Sequence, residues 1–172
     1  TIHRWDNWYD YPGSYWTGKR KSIIDQGEPD TTKYLFHTLF GHHGIFSLTP
    51  MWCLSLAGIA VLMVHNPNRM RWLGITNLVL TVVVIGFYVG YVPGHDRNYG
   101  GQTSTFRWAL WLVPVWLVCM APVVDWLAIS RKGRAVCLFL LVFSAISALY
   151  SSANPWIHPW LYEIWEFTGL PK

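Results

Sequence analysis

Four stretches of this sequence are continuously apolar for about 20 residues, the length that an α-helix needs to cross the hydrocarbon core of a membrane. Strands of a membrane barrel instead alternate apolar and polar positions over about 10 residues, so these runs favour helices. The predicted spans are residues 45–64, 72–92, 108–129 and 135–153. The pattern therefore predicts an all-α integral membrane protein with about four transmembrane helices.

The segments outside the predicted spans are polar or mixed. Residues 1–44 are rich in Trp and Tyr but show no sustained period, which predicts an irregular extracytoplasmic arm. Residues 154–172 show helical spacing of apolar side chains, with two glutamates between them, and predict an interfacial helix that is too short to span. The packing side chains expected in this tail are Trp156, Trp160, Leu161, Ile164 and Trp165. Residues 45–153 form the transmembrane domain between the two.

Composition agrees with the membrane assignment and limits the partners. Of the 172 residues, 52% are hydrophobic and 13% are charged, while the polar flanks keep the mean hydropathy at +0.24. The net charge of +4 comes from basic residues that are scattered or lie at span ends, where lipid headgroups are the expected partner. We expect no nucleic-acid binding. The three cysteines lie inside apolar runs, so we expect no disulfide.

The short connections between spans predict the orientation. Five basic residues lie in the connections 65–71 and 130–134, and short loops rich in Lys and Arg face the cytoplasm. These residues are Arg69, Arg71, Arg131, Lys132 and Arg134. The arm also carries basic residues, but long segments weigh less in this rule. We therefore expect both termini outside the cytoplasm.

A candidate anion site precedes the third predicted span. Glycines for a turn, hydroxyl groups for a helix cap and an arginine fork are groups that bind phosphate, and a helix N-terminus adds free N–H groups. The residues are Gly100, Gly101, Thr103, Ser104 and Arg107. The alternative is an ordinary helix cap, with Arg107 extending to the lipid surface.

Several histidines are expected on the extracytoplasmic side, where they could ligate a metal. The candidates are His37, His42, His43 and His95, with His158 on the same side. Their spacing matches no known ligand signature, and two adjacent histidines in a regular helix cannot both face one ion. The alternative is a set of hydrogen-bonded histidines at the membrane interface.

Asp125 is the only acidic residue within a predicted span. Acids inside membranes often serve function. Its nearness to Arg131 and Lys132 predicts a paired charge at interface level as the alternative.

Two stretches carry a resemblance to known proteins. Residues 34–50 (YLFHTLFGHHGIFSLTP) and 98–126 (NYGGQTSTFRWALWLVPVWLVCMAPVVDW) resemble the C-terminal membrane region of a group of uncharacterised bacterial polytopic membrane proteins. That region is similar to the last helices of lipid-linked-sugar-dependent, mannosyltransferase-type glycosyltransferases, whose motifs match Gly44 to Pro50 and Gly100 to Arg107. The resemblance implies a lipid-phosphate contact for Arg107, and it implies that the membrane is the bacterial inner membrane. The catalytic acid of such enzymes lies in an N-terminal half without a counterpart here, which implies a non-catalytic remnant or a fragment.

The sequence shows no Ser, His and Asp constellation, no Walker-type glycine loop and no paired carboxylates on one element. We therefore expect a non-catalytic structural or accessory subunit of a larger membrane complex, respiratory, photosynthetic or similar. The alternative is the membrane portion of a glycosyltransferase-like enzyme that binds a lipid phosphate. Bound lipids and other membrane subunits are the expected partners, and pigments or quinones could contact the Trp-rich faces.

Overall fold

A computed structural model of the chain describes residues 27–65, 68–94, 97–100, 105–152, 154 and 157–169. These residues contain helices and no β-strand. The α-helices are α1 (Thr31–Leu39), α2 (Ile45–Leu48), α3 (Trp52–His65), α4 (Asn68–Gly86), α5 (Val113–Ala128), α6 (Arg131–Tyr150) and α7 (Trp160–Phe167). A π-helical turn, Phe87–Tyr91, extends α4, and a 3-10 helix, Arg107–Leu112, leads into α5.

Three helical segments are long and apolar enough to cross a membrane: Arg69–Tyr91, Arg107–Ala128 and Arg131–Tyr150. They coincide with the second, third and fourth predicted spans, so the membrane-helical fold class is confirmed at this level. The last segment begins four residues earlier than predicted. Its first turn contains the basic residues expected in a loop, because the Ser130 hydroxyl accepts a hydrogen bond from the Gly133 N–H and caps α6 there.

The first predicted span, 45–64, is not one helix. The single turn of α2 ends at Leu48, and α3 begins at Trp52 after Thr49, Pro50 and Met51. Pro50 cannot donate a backbone hydrogen bond to continue α2, but it is compatible with the turn that precedes α3. With 14 residues, α3 is about 21 Å long, shorter than the hydrocarbon core of about 30 Å.

The expected irregular arm also needs a correction. Its described part contains α1, a regular helix that begins at the cap residue Asp30. The Asp30 carboxylate accepts hydrogen bonds from the backbone N–H groups of Thr32 (2.8 Å) and Lys33 (3.1 Å). These bonds hold the pKa of Asp30 below its usual value. The remainder of the arm, residues 1–26, lies outside the described residues.

The packing of α6 is inverted relative to a water-soluble helix. Its buried positions are the small residues Gly133, Ser144 and Ser147. Its exposed positions include large apolar side chains: Leu138, Phe139, Ile146 and Leu149. Small residues inside and large apolar residues outside are typical of helices that face lipid. This arrangement agrees with a membrane location.

The centre of the bundle combines apolar packing with a short polar seam between α4 and α5. The Trp116 ring is buried, and its Nε1–H donates to the Thr81 hydroxyl at 2.9 Å. The Asn77 amide donates to the Val115 carbonyl and to Cys119 Sγ, each at 2.9 Å. Asn77 therefore makes hydrogen bonds between α4 and α5, and each of these bond partners lies inside the protein.

The chain direction places the helix ends in two groups. Since α3 and α4, and likewise α5 and α6, are joined by two residues each, neighbouring helices run antiparallel. One end of the bundle carries the five basic residues of the two short connections, and we call it the arginine end. The opposite end carries α1, α7 and four histidines, His37, His42, His43 and His158, and we call it the histidine end.

Candidate functional site

The candidate anion site lies at the histidine end, where the 3-10 helix begins. The Arg107 guanidinium lies over the Trp108 ring, 5.3 Å from its centroid. Arg107, Trp108, Leu110 and Trp111 line a groove of about 360 Å³. Among the described residues, Arg107 has no carboxylate or hydrogen-bonding partner for its side chain. The groove therefore combines an accessible cation with aromatic and aliphatic walls.

The loop before the groove requires a glycine. Gly100 has φ of +91°, a conformation that residues with a Cβ rarely adopt, and its N–H donates to the Asn98 side chain at 2.9 Å. A Cβ on Gly100 would lie 2.6 Å from Arg107 Cβ. The backbone N–H of Arg107 donates to the Tyr99 carbonyl at 3.2 Å, which closes the loop. Gly101, Thr103 and Ser104, the other predicted anion-site residues, lie outside the described residues.

A second candidate site is a cluster of four imidazoles, His37, His42, His43 and His158, which we call the histidine cluster. The His37 and His42 rings stack with centroids 3.9 Å apart. His42 and His43 approach each other through their Nδ1 atoms at 2.5 Å, and the His158 centroid lies 5.8 Å from that of His43. His37, His42 and His43 are each at most 4% exposed. The structure thus brings together three of the four predicted metal candidates, and His95 lies outside the described residues.

Aromatic side chains from two parts of the chain, the 97–100 segment and α7, enclose the histidine cluster. The Tyr99 ring stacks on His43 at 4.4 Å, and the Tyr162 ring stacks on His158 at 3.9 Å. Trp165 packs edge-on against His37, with centroids 5.6 Å apart. The cluster is therefore the contact between α1, the turn that follows it, the 97–100 segment and α7.

Burial sets the protonation of this cluster. Removal from water holds the pKa of His43 well below its usual value, and the neighbouring His42, His158 and His37 lower it further. Burial also lowers the pKa of His37, against the attraction of Glu28. His43 is consequently neutral at physiological pH, and one ring of the His42 and His43 pair donates its proton to the other.

The objection that two adjacent histidines in a regular helix cannot both face one ion does not apply to His42 and His43, because they do not lie in a regular helix. α1 ends at Leu39, and the residues up to Gly44 form a turn in which the two rings converge. The turn is tight: a Cβ on Gly41 would lie close to the His37 ring, and a Cβ on Gly44 would meet the backbone of Phe40. Within the described ranges, however, no three His, Cys, Asp or Glu side chains are placed to hold a metal ion.

Comparison with known proteins identifies no relative. The chain matches no protein family, no curated protein and no solved structure. Its function must therefore be argued from its own residues.

The predicted tail helix is present as α7, and it packs against the histidine end. Trp160 Nε1–H donates to the Ser147 hydroxyl at 2.9 Å, and Trp160, Leu161 and Trp165 are half-buried. Ile164, predicted as a packing residue, is instead half-exposed, and Trp156 lies outside the described residues. The Tyr150 hydroxyl donates to Glu163 at 2.7 Å and ties α7 to the end of α6.

The ion pair expected for Asp125 is absent from the described part of the chain. Asp125 is exposed and has no contact with Arg131 or Lys132. Arg134, in the first turn of α6, instead donates to the Ala128 carbonyl at 2.7 Å. This bond satisfies a backbone carbonyl at the C-terminal end of α5. Arg134 therefore bonds the end of α5 and does not pair with Asp125.

Arg97 was not among the candidate residues that the sequence suggested. Arg97 is buried and donates to the Val92 carbonyl (2.9 Å), the Pro29 carbonyl (3.3 Å) and the Thr31 hydroxyl (2.7 Å). It thereby joins the segment before α1 to the end of the α4 span. No local pattern in the sequence marks this role, because its bonding partners at Pro29 and Thr31 lie more than 60 positions away.

Proposed function

We propose that this chain is a non-catalytic accessory subunit that packs within a larger membrane assembly. The observation that carries the proposal is an apolar surface outside the three long helices. It lies on α1, on the turn that follows it and on α7, and consists of Phe36, Phe40, Ile164 and Phe167, which we call the end face.

The end face is unsuited to water. Phe167 is 92% exposed, and Phe36, Phe40 and Ile164 are each about half exposed. α1 and α7 are neighbours, because the Phe36 and Trp165 rings lie 6.4 Å apart. Burying one such aromatic or aliphatic side chain contributes roughly 1.5 to 3 kcal/mol. A second subunit seated here would recover this free energy, and aromatic side chains are typical anchors of protein interfaces.

The test compares two variants with equally exposed apolar side chains. Phe167→Asp places a charge on the end face, whereas Ile129→Asp places one at the arginine end, where Ile129 is 80% exposed. Membranes are extracted in mild detergent, and native electrophoresis with mass spectrometry identifies whatever migrates with the chain. We expect the unmodified chain and Ile129→Asp to migrate with other subunits and Phe167→Asp to lose them at least tenfold, since interface anchors contribute about 2 kcal/mol.

Migration of the unmodified chain by itself would contradict the accessory role. A different outcome is that Phe167→Asp keeps its co-migrating subunits but loses binding to lipid vesicles. The end face would then contact the lipid headgroup layer and not another subunit.

A second function is favoured by the Arg107 groove, namely binding of a lipid phosphate. The Arg107 guanidinium, which has no ion-pair or hydrogen-bond partner among the described residues, suits a phosphate, and the walls of Trp108, Leu110 and Trp111 suit the adjoining hydrocarbon chain. The groove also opens at the end of a helical segment long enough to cross the membrane, near the depth at which lipid phosphates lie. Membrane portions of enzymes that use lipid-linked sugars need such a contact.

Binding of a polyprenyl phosphate to the purified chain tests the second function, with the neutral polyprenol as the matched ligand. Arg107→Ala should weaken phosphate binding about tenfold or more, because a hydrogen bond to a charged group contributes about 1.5 to 3 kcal/mol. Arg131→Ala, at the arginine end, should leave it unchanged. Equal binding by Arg107→Ala and the unmodified chain would refute the assignment.

A further inference from the structure

The histidine cluster joins elements that are distant in sequence. His37 belongs to α1, His42 and His43 to the following turn, and His158 to the segment before α7. From α7, Tyr162 contacts His42, His43 and His158, and Trp165 contacts His37 and His42. These imidazole contacts, the Phe36 and Trp165 pair and the hydrogen bonds of Trp160 and Glu163 hold α7 in place.

Neutral imidazoles are required for this packing. His42 and His43 share one hydrogen bond between Nδ1 atoms, and protonation of both rings would leave two donors facing each other. His37 stacks face to face on His42 at 3.9 Å, so two positive charges would also repel there. The Nδ1 atom of His37 is buried without a hydrogen-bond partner among the described residues, which makes a charge on this ring costly.

Among the described residues, the titratable side chains in ring contact with the cluster offer little compensation for a positive charge. From the 97–100 segment and α7 the facing groups are Tyr99 and Tyr162, both phenols. Burial raises the pKa of Tyr99, so it is neutral and supplies no counter-charge. Around α1, Glu28 favours a charged His37 while Lys33 opposes it. Tyr34, which contacts Tyr99, is likewise held neutral by burial.

We propose that the histidine cluster is a pH-sensitive latch, which holds α7 against α1 and the 41–44 turn at neutral pH and releases it in acid. Release also uncovers the rings of His158 and His42. It separates the end-face residues of α7, Ile164 and Phe167, from those of α1 and the following turn, Phe36 and Phe40.

The direction of the pH dependence of α7 docking follows from proton linkage. In the docked state the pKa values of His37 and His43 lie below the ordinary value of about 6.5, which both side chains regain on release. The docked state is therefore fully stabilised above pH 6.5 and loses stability as the pH falls below that value, where the released state binds more protons. At pH 5.0 one such histidine increases the released fraction about 30-fold.

The test is amide hydrogen exchange of the full chain in lipid nanodiscs at pH 7.5 and pH 5.0, corrected for the intrinsic pH dependence of exchange. Protection of α7 should fall about 30-fold or more at pH 5.0, while that of α5 stays constant. In His42→Gln/His43→Gln, and separately in His37→Gln, the fall should be at least threefold smaller, because burial lowers the pKa of His43 and of His37 in the docked state.

Glu163→Gln is the matched control, because it removes the carboxylate that ties α7 to Tyr150 but leaves the cluster intact. This variant should keep the full pH dependence. Constant protection of α7 at both pH values would overturn the latch. So would a fall in α7 protection in the folded histidine variants as large as that in the unmodified chain. Loss of the pH dependence in Glu163→Gln would also overturn it.

Discussion

At the scale of single residues, Gly58 sets the distance between α3 and α5. It is buried where the two helices meet, and a Cβ built on it would lie 1.8 Å from the Cys119 carbonyl oxygen. The clashing atom belongs to the backbone of another helix, so no side-chain rotation relieves the contact. Close backbone approach at small residues is a common way for membrane helices to associate.

Gly58→Ala should therefore separate α3 from α5 and destabilise the protein by about 1 to 3 kcal/mol, the usual effect of overpacking. Gly86→Ala is the control, because no atom lies within 4 Å of a Cβ at that position of α4. It should be neutral or stabilising by up to roughly 1 kcal/mol. Thermal unfolding in detergent measures both, and equal stability of the two variants would contradict the assigned role of Gly58.

At the scale of secondary-structure elements, the beginnings of α1 and α6 follow from short side chains that accept backbone hydrogen bonds. Asp30 caps α1 and Ser130 caps α6. The Asp30 signal was readable in the sequence but was overlooked, since the aromatic residues before it show no period. Pro50 also indicated the break between α2 and α3. Because the residues on both sides of it are apolar, however, the sequence predicted one continuous span.

Asp30→Ala should loosen α1, whereas Asp30→Asn, which keeps an oxygen acceptor, should not. We expect amide exchange in α1 to become several-fold faster in the alanine variant, with α5 unchanged. Because its cap bonds lower the pKa of Asp30, the stabilisation is present above the unfolded value of about 3.9 and is lost as the pH falls below it. Identical exchange in the alanine and asparagine variants would show that the cap does not stabilise α1.

At the scale of the whole molecule, the two ends of the bundle differ in charge chemistry. The arginine end carries the fixed cations of the two short connections, in the first turns of α4 and α6. The histidine end carries the buried imidazoles and, in longer segments, Arg97 and Arg107. Fixed cations in short connections stay on the cytoplasmic side of a membrane. The charge difference therefore predicts how the bundle is inserted.

Thiol labelling in intact cells checks this orientation. A membrane-impermeant reagent should label Thr32→Cys, at the histidine end, several-fold faster than Ile129→Cys, at the arginine end. Both positions are exposed, and the unmodified chain gives the background from its own cysteines. The opposite order of labelling would reverse the predicted topology.

The sequence by itself determined the long helices, since an uninterrupted apolar run can satisfy its backbone in a membrane only as a helix. Its spans at 72–92, 108–129 and 135–153 agree with the structure to within four residues at each end. Only the tertiary structure decided which separated residues meet. The histidine cluster depends on a non-helical turn after α1 and on the docking of α7, and the bonds of Arg97 connect chain positions far apart. Such contacts are set by packing between elements, which local periodicity does not encode.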